Sequence, residues 1–236
     1  GANHEGEIDF LCDLAQPTFG VITNIGKAHL DGFGSFEGVI KAKSELYNYI
    51  QKNSGTLFVN SAAELLIELA NNIRKITYGK SGDYTGEVSE NTPFISVNFR
   101  DTELHSKLIG DYQFYNIMLA VCIGKHFGIA DKNIKLAIES YTPKNNRSEI
   151  IKTKNNTIIL DSYNANPSSM SAMLYSFAKQ NYDNKLCILG DMLELGKDAE
   201  REHKAIMDLV TELKLECIFI GSEFSKVNEK ANINTD

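Results

Sequence analysis

The chain lacks the marks of several large protein classes. No apolar run approaches the length needed to span a bilayer. No signal peptide is visible, although the chain opens on Gly1 rather than Met, so the missing leader carries no weight on location. Basic charge is the minority: 24 Lys and Arg stand against 31 Asp and Glu, for a net charge of −7, and no basic cluster interrupts that balance. The balance argues against bulk binding to nucleic acid or to an anionic membrane, while leaving room for a local basic site for a phosphate. Only four cysteines occur, at 12, 122, 187 and 217, in apolar runs and with no CxxC pair. That pattern reads as buried free thiols in a reducing compartment rather than a disulfide framework or a zinc site. Internal repeats and low-complexity segments are absent. So is a Walker A loop, which needs Gly, four residues, then Gly-Lys-Ser/Thr. Gly20 to Lys27 and Gly190 to Lys197 have the wrong interval and are followed by Ala28 and Asp198.

What is present is a chain of 236 residues with 42% hydrophobic content, enough for one large or two ordinary domains with a real core. Its periodicity alternates between helix and strand. Helices are predicted over 4–15, 36–50 and 62–71, with strands at 19–23 and 56–60, the signature of a parallel sheet flanked by helices. Short strands follow at 75–78, 84–88, 94–99 and 102–108, suggesting a small antiparallel section. Asp111 is a suitable N-cap for a helix to about residue 126, and another helix is predicted over 132–140. The polar, Pro-containing stretch 141–146 reads as an interdomain linker. Beyond it, strands at 158–161, 185–189 and 217–220 alternate with helices at 167–180 and 199–213, which begins a second, Rossmann-like α/β unit. The expected domains are 1–143 and 144–236.

Several residues carry chemistry, each with a plainer reading beside it. His29 lies in the Gly-rich loop Thr23-Asn24-Ile25-Gly26-Lys27-Ala28-His29-Leu30-Asp31-Gly32-Phe33-Gly34, just past a strand. It either caps a turn or, as a neutral imidazole at the carboxyl end of a sheet strand, meets a divalent ion. Asp31 caps the same loop. Lys41 reads as a solvated surface charge. Lys43 sits in an apolar setting, where burial favours a neutral amine. Asn116 lies inside a predicted helix it mildly disfavours. Arg147 follows the linker and is either an exposed surface residue or a bidentate phosphate ligand. In Asp161-Ser162-Tyr163-Asn164-Ala165-Asn166-Pro167, Asn166 suits an N-cap and Pro167 a first helical turn. Leu189-Gly190-Asp191-Met192-Leu193-Glu194-Leu195-Gly196 is at the least a tight strand-to-helix turn. His203 in the next helix is read as structural.

Taken in order, these motifs resemble the Mur ligases, the ATP-dependent amide-forming enzymes of peptidoglycan synthesis. The Gly-Asp-Met-Leu-Glu-Leu-Gly string resembles the MurF type, which joins D-alanyl-D-alanine to UDP-N-acetylmuramoyl-tripeptide. The resemblance covers essentially the whole chain. It implies a central P-loop-like ATP-binding domain, incomplete upstream, followed by a Rossmann-like C-terminal domain cut short downstream. The phosphate loop, a magnesium-binding glutamate and the domain for the UDP-sugar are expected to precede Gly1. Such a piece is expected to be inactive by itself.

By that resemblance His29 and Lys43 hold magnesium, Lys43 as a carbamate made with carbon dioxide. Arg147 is a catalytic cation at the ATP phosphates. Asn116, in a segment where Tyr112 and Gln113 depart from the family's His and Asn, meets the adenine end of ATP. Asp161 meets the ribose or its water, and Asn164 and Asn166 order that loop. Asn3 and His4 lie near substrate or cap a helix, and Asp191 and Glu194 lie near the acceptor amino acid. The implied protein is a monomeric cytoplasmic ligase of cell wall biogenesis, with roles in cell shape and division. It binds neither nucleic acid nor membrane. Sister ligases remain alternatives, namely MurE and folylpolyglutamate synthase, as does a catalytically silent Mur-like binding domain.

Overall fold

The computed structural model describes residues 2–27 and 30–233, with side chains through residue 228. The chain folds as two compact units. One joins Gly1–Ile25 to Glu37–Pro143, and the other joins Gly26–Phe36 to Lys144–Asp236. In chain order the elements begin with α1 (Glu7–Ala15), β1 (Phe19–Val21) and the short α2 (Leu30–Phe33), which belongs to the second unit. The first unit continues with α3 (Phe36–Lys52), β2 (Thr56–Asn60), α4 (Glu64–Leu69), β3 (Lys75–Gly79), β4 (Tyr84–Thr85), β5 (Glu87–Glu90), β6 (Ser96–Phe99), β7 (Thr102–His105), α5 (Gln113–His126) and α6 (Asp131–Ser140).

Its main sheet is parallel, in the order β1-β2-β3-β4, with Phe58 opposite Val21 on one side and Ile76 on the other. All five residues of β2 are buried, because both faces of this strand are covered; Leu57 and Val59 make one face apolar, and Phe58 lies between the buried polar Thr56 and Asn60 on the other. Leu57 and Val59 pack with Tyr47, Ile50, Leu66 and Ala70, while Phe58 points into a second cluster with Phe114, Met118 and Cys122 from α5. Such two-sided burial is the main stabilising term of the unit, on the order of 2 kcal/mol per large apolar side chain.

The sequence pattern predicts a continuous strand over 84–88, but the structure breaks it at Gly86 into β4 and β5. A Cβ on Gly86 would lie 2.6 Å from Met118 Sδ and 2.8 Å from the Asn98 carbonyl oxygen, so the chain turns there from the parallel sheet into the antiparallel β5-β6-β7. The predicted cap of α5 is also displaced. Tyr112 occupies the cap position, and the Asp111 carboxylate instead accepts a bond from Asn91 Nδ2 at 3.0 Å.

The second unit adds β8 (Glu149–Lys152), β9 (Thr157–Leu160), α7 (Pro167–Lys179), β10 (Leu186–Gly190), the 3-10 turn Gly196–Asp198, α8 (Ala199–Glu212), β11 (Glu216–Ile220) and α9 (Ser222–Ile233). β10 and β11 pair in parallel, and β8 and β9 form an antiparallel hairpin. The hairpin's first strand escapes sequence reading, since Glu149 and Lys152 flank only two apolar residues. The four cysteines are free thiols, three of them buried.

Candidate active site

In the first unit the site begins where β1 ends. Asn24, in the loop after that strand, offers its carbonyl oxygen to Lys43 Nζ at 3.2 Å. Lys43 lies on α3, which buries Val39, Ala42, Tyr47 and Ile50 and leaves Lys43 half-buried at the edge of that face. Burial pulls its ammonium below the ordinary lysine value. Two residues earlier, Lys41 is exposed and pairs with Glu5 Oε2 at 2.6 Å, and the Glu5 hydrogen bond raises its pKa. One helix thus carries a solvated ammonium and a desolvated one. A desolvated amine with a single neutral acceptor among the described residues fits the chemistry of carbamylation, which needs the unprotonated nitrogen.

Glu45, which sequence reading passes over, ties the N-terminal segment to this helix. Its carboxylate accepts the amides of Gly6 at 2.6 Å and Asp9 at 3.0 Å, and so caps the start of α1 from another element. The available signal was an acid two places after Lys43. Asn3 and His4 give their amides to Glu7 Oε2 at 2.8 and 3.1 Å, and His4 Nδ1 lies 3.0 Å from Asn3 Oδ1. Their place in the structure is just ahead of α1, whose N-cap position is Gly6. On α5, Asn116 is exposed and donates to Gln113 Oε1 at 2.8 Å, one turn away. His29 lies outside the described residues.

In the second unit three residues with positive φ surround Arg147: Asn145 at 61°, Asn146 at 59° and Ser148 at 51°. The Arg147 guanidinium rests 3.8 Å over the Tyr163 ring, and Tyr163 donates its amide to the Asn146 carbonyl at 3.1 Å. Asp161, at the end of β9, accepts the Ser148 amide at 2.8 Å and its hydroxyl at 3.3 Å through one oxygen, Oδ1. Asn164 Oδ1 accepts the next amide, and Asn166 caps α7 in a reciprocal pair with Ser169, with Pro167 following. These residues form one loop cluster at the strand's carboxyl end.

A second loop follows β10. Asp191 accepts the amides of Glu223 and Phe224 at 3.0 and 3.1 Å and thereby caps α9. Burial opposes its ionisation, but those amides outweigh it and hold the carboxyl below its ordinary value. A side chain at Gly221, where φ is +126°, would sit 2.2 Å from that carboxylate. His203 is fully buried; Nε2 accepts the Met192 amide at 3.0 Å, which leaves Nδ1 to donate to the Ala199 carbonyl at 2.7 Å. Glu194 is exposed, and its carbonyl accepts the Asp31 amide at 3.0 Å. Lys27 also escapes sequence reading. Its Nζ pairs with Glu202 Oε1 at 2.8 Å, beside Arg201 at 3.0 Å. Burial opposes the Glu202 charge, but the two cations outweigh it and lower the pKa. Among the described residues no group of three or more His, Cys, Asp or Glu is arranged to hold a metal.

Comparison with known proteins adds context to this geometry. A model described as the Mur ligase middle domain matches residues 1–124, and one described as the Mur ligase, glutamate ligase domain matches residues 146–232. The UDP-N-acetylmuramoyl-tripeptide–D-alanyl-D-alanine ligase of Bacillus subtilis is 33% identical over 227 residues, which cover 93% of this chain and 49% of that protein. The Haemophilus influenzae ligase of the same name is 29% identical over 240 residues, covering 97% and 52%. A crystal structure of MurF from Acinetobacter baumannii superposes with a TM-score of 0.86 at 30% identity, over 97% of this chain and 52% of that one. The fold is also that of a MurF ligase from Thermotoga maritima solved with ADP, at a TM-score of 0.77 and 20% identity, over 100% of this chain and 60% of that one. The chain spans about half the length of the curated relatives it matches.

Proposed function

This chain belongs to the Mur ligase family, and from that premise we propose that it supplies the ATP-binding and acceptor parts of a MurF-type ligase. The reaction joins D-alanyl-D-alanine to UDP-N-acetylmuramoyl-tripeptide. The tripeptide carboxylate takes the γ-phosphoryl group of ATP to give an acyl phosphate and ADP. The acceptor amine then displaces phosphate and forms the amide. The observation that carries this reading is similarity to relatives of that one activity along nearly the whole chain, across both domain models.

The residues have work suited to that reaction. Lys43 is the candidate for carbamylation, because burial favours its neutral amine and the Asn24 carbonyl directs the nitrogen without neutralising a charge. Its carbamate, with His29 entering on the resemblance alone, would hold magnesium. When bound, that ion supplies positive charge for the phosphoryl oxygens. Arg147 supplies a cation whose planar fork matches phosphate, held meanwhile against Tyr163. Asp161 and Asn166 keep the loop around Arg147 in shape through Ser148 and the α7 cap, and Asn164 braces the same turn. Asn116 is presented toward solvent on α5 for the adenine end. Asp191 shapes the acceptor loop by capping α9 and leaves Glu194 exposed for the acceptor. Asn3 and His4 reach substrate from the capped start of α1. On the same resemblance the protein acts as a cytoplasmic monomer. Separately, among the described residues no helix is long and apolar enough to cross a membrane.

The test is phosphate release by the protein in the form its cell makes it, with ATP, magnesium and UDP-N-acetylmuramoyl-tripeptide. Release that depends on D-alanyl-D-alanine, and not on single amino acids, is expected. Release with a single amino acid would reassign the acceptor to a sister ligase. No release from a folded protein with any acceptor would overturn the ligase reading.

A further inference from the structure

We propose that Glu202 is a positioning residue for the loop that follows β1: through Lys27 it fastens the segment Gly26–Phe36 to α8. The catalytic consequence rests on the ligase reading above; the anchoring itself does not.

The segment is an anomaly of the chain's course. Residues up to Ile25 and from Glu37 to Pro143 belong to the first unit, yet Gly26–Phe36 groups with the second. Contacts of Lys27 and Asp31 hold it there. Lys27 Nζ meets Glu202 Oε1 at 2.8 Å, the Lys27 amide donates to Ser168 Oγ at 3.3 Å, and the Asp31 amide donates to the Glu194 carbonyl at 3.0 Å. Only the first joins opposite charges, and only its acceptor is buried. The Glu202 side chain is 5% exposed, so water does little to solvate its charge.

A glutamate in the first turn of α8 would be favoured by the helix dipole alone. That accounts for the sign of the charge, but neither for its burial nor for a cation drawn from a segment 175 residues away in sequence. Arg201 also reaches Glu202, through Nε at 3.2 Å and Nη2 at 3.0 Å, but it divides its charge with Asp198 at 3.0 Å. Lys27 has Glu202 as its single acidic partner among the described residues. A buried carboxylate deprived of one of two cations is strongly disfavoured. The pair therefore holds Lys27, and the chain beside it, against α8.

Hydrogen exchange of the 236-residue chain tests the anchor, using Lys27→Met, Glu202→Gln and the double variant. Lys27→Met alters only a half-exposed side chain and leaves α8 intact. Peptides spanning 26–36 should exchange about tenfold faster in each single variant, with no further gain in the double, while peptides of α8 stay protected in Lys27→Met. In the ligase assay of the protein as its cell makes it, kcat should fall about tenfold with little change in KM, the mark of a misplaced group rather than lost substrate binding. Unchanged exchange over 26–36 in Lys27→Met would overturn the anchor. Faster exchange with unchanged kcat would overturn the positioning role. Faster exchange in a protein whose parent shows no ligase activity would sink the ligase reading and leave the anchor standing.

Discussion

The two parallel sheets read alike in sequence and are used differently. β2, Thr56-Leu57-Phe58-Val59-Asn60, is buried at every position. In β10, Leu186-Cys187-Ile188-Leu189-Gly190, Cys187 is buried, while Leu186 and Ile188 are 47% and 63% exposed. Its neighbour β11 repeats this, with Ile218 and Ile220 exposed. An apolar run therefore establishes that a strand is suited to burial on both faces; whether each face is covered depends on what packs there. In the first sheet α5 fills one side, and α3 and α4 the other. Among the described residues of the second unit, α8 and α9 supply Ile206, Leu209, Val210 and Phe224 to its core, and the opposite faces of β10 and β11 stay open.

The largest test of this contrast is Phe58→Ala, which empties a position closed on both sides and should lower unfolding stability by about 3–5 kcal/mol in urea titration. A loss under about 1 kcal/mol would show that the first sheet is no better packed than the second.

Asp191→Ala probes the second unit where it is tight. Loss of the α9 cap should cost about 1 kcal/mol at neutral pH. The folded pKa is depressed, so the wild-type advantage is present above the ordinary carboxylate value and is lost as pH falls through the folded one. Thermal melts of the two proteins should converge in acid, and a pH-independent gap would remove the carboxylate from the account.

Lys43→Met sharpens the contrast within the first unit by separating activity from stability. Ligase turnover should fall to background. Stability should rise at neutral pH, because burial disfavours the folded ammonium. A lysine with a lowered folded pKa costs stability fully below that value and ceases to cost as pH rises toward the ordinary 10.5, so the variant's gain in Tm should shrink over that interval. A variant less stable than its parent would mean that the amine is not desolvated.

Tyr47→Phe is a smaller probe. The Tyr47 hydroxyl is buried with no hydrogen-bond partner among the described residues, and burial pushes its pKa up to about 12. Removing it should stabilise the unit by about 1 kcal/mol. Least of all, Ile188→Ser should stay within about 0.5 kcal/mol of the parent, since that side chain already meets solvent. A large loss there would mean that the open face of β10 is covered in solution.

Much of the fold is legible in the order of residues alone. The alternating periods locate α3, β2, β10, β11 and α8, since a strand with two apolar faces and a helix with one broad face leave distinct repeats. Asn166-Pro167 announces the start of α7, because the side-chain oxygen and the missing amide act within one turn. Capping at Tyr112 rather than Asp111, and the break at Gly86, are not legible. Each depends on a partner distant in sequence: Asn91 for Asp111, and Asn98 with Met118 for Gly86. The site divides the same way. Lys43, Asp161 and Asp191 stand out by the motifs around them, whereas Glu45 and Glu202 do not, because a glutamate on a helix looks solvated until its partner is known.

The sequence by itself determined most of the helices and strands, though not α2, β8 or α9, and pointed to the loops at strand ends, because those signals rest on neighbours within a few residues. Only the tertiary structure decided that Lys43 is desolvated and Lys41 is not, that Glu45 caps a helix elsewhere in the chain, and that Gly26–Phe36 belongs with the second unit. Desolvation and charge pairing are set by what lies across space, and local periodicity carries no record of it.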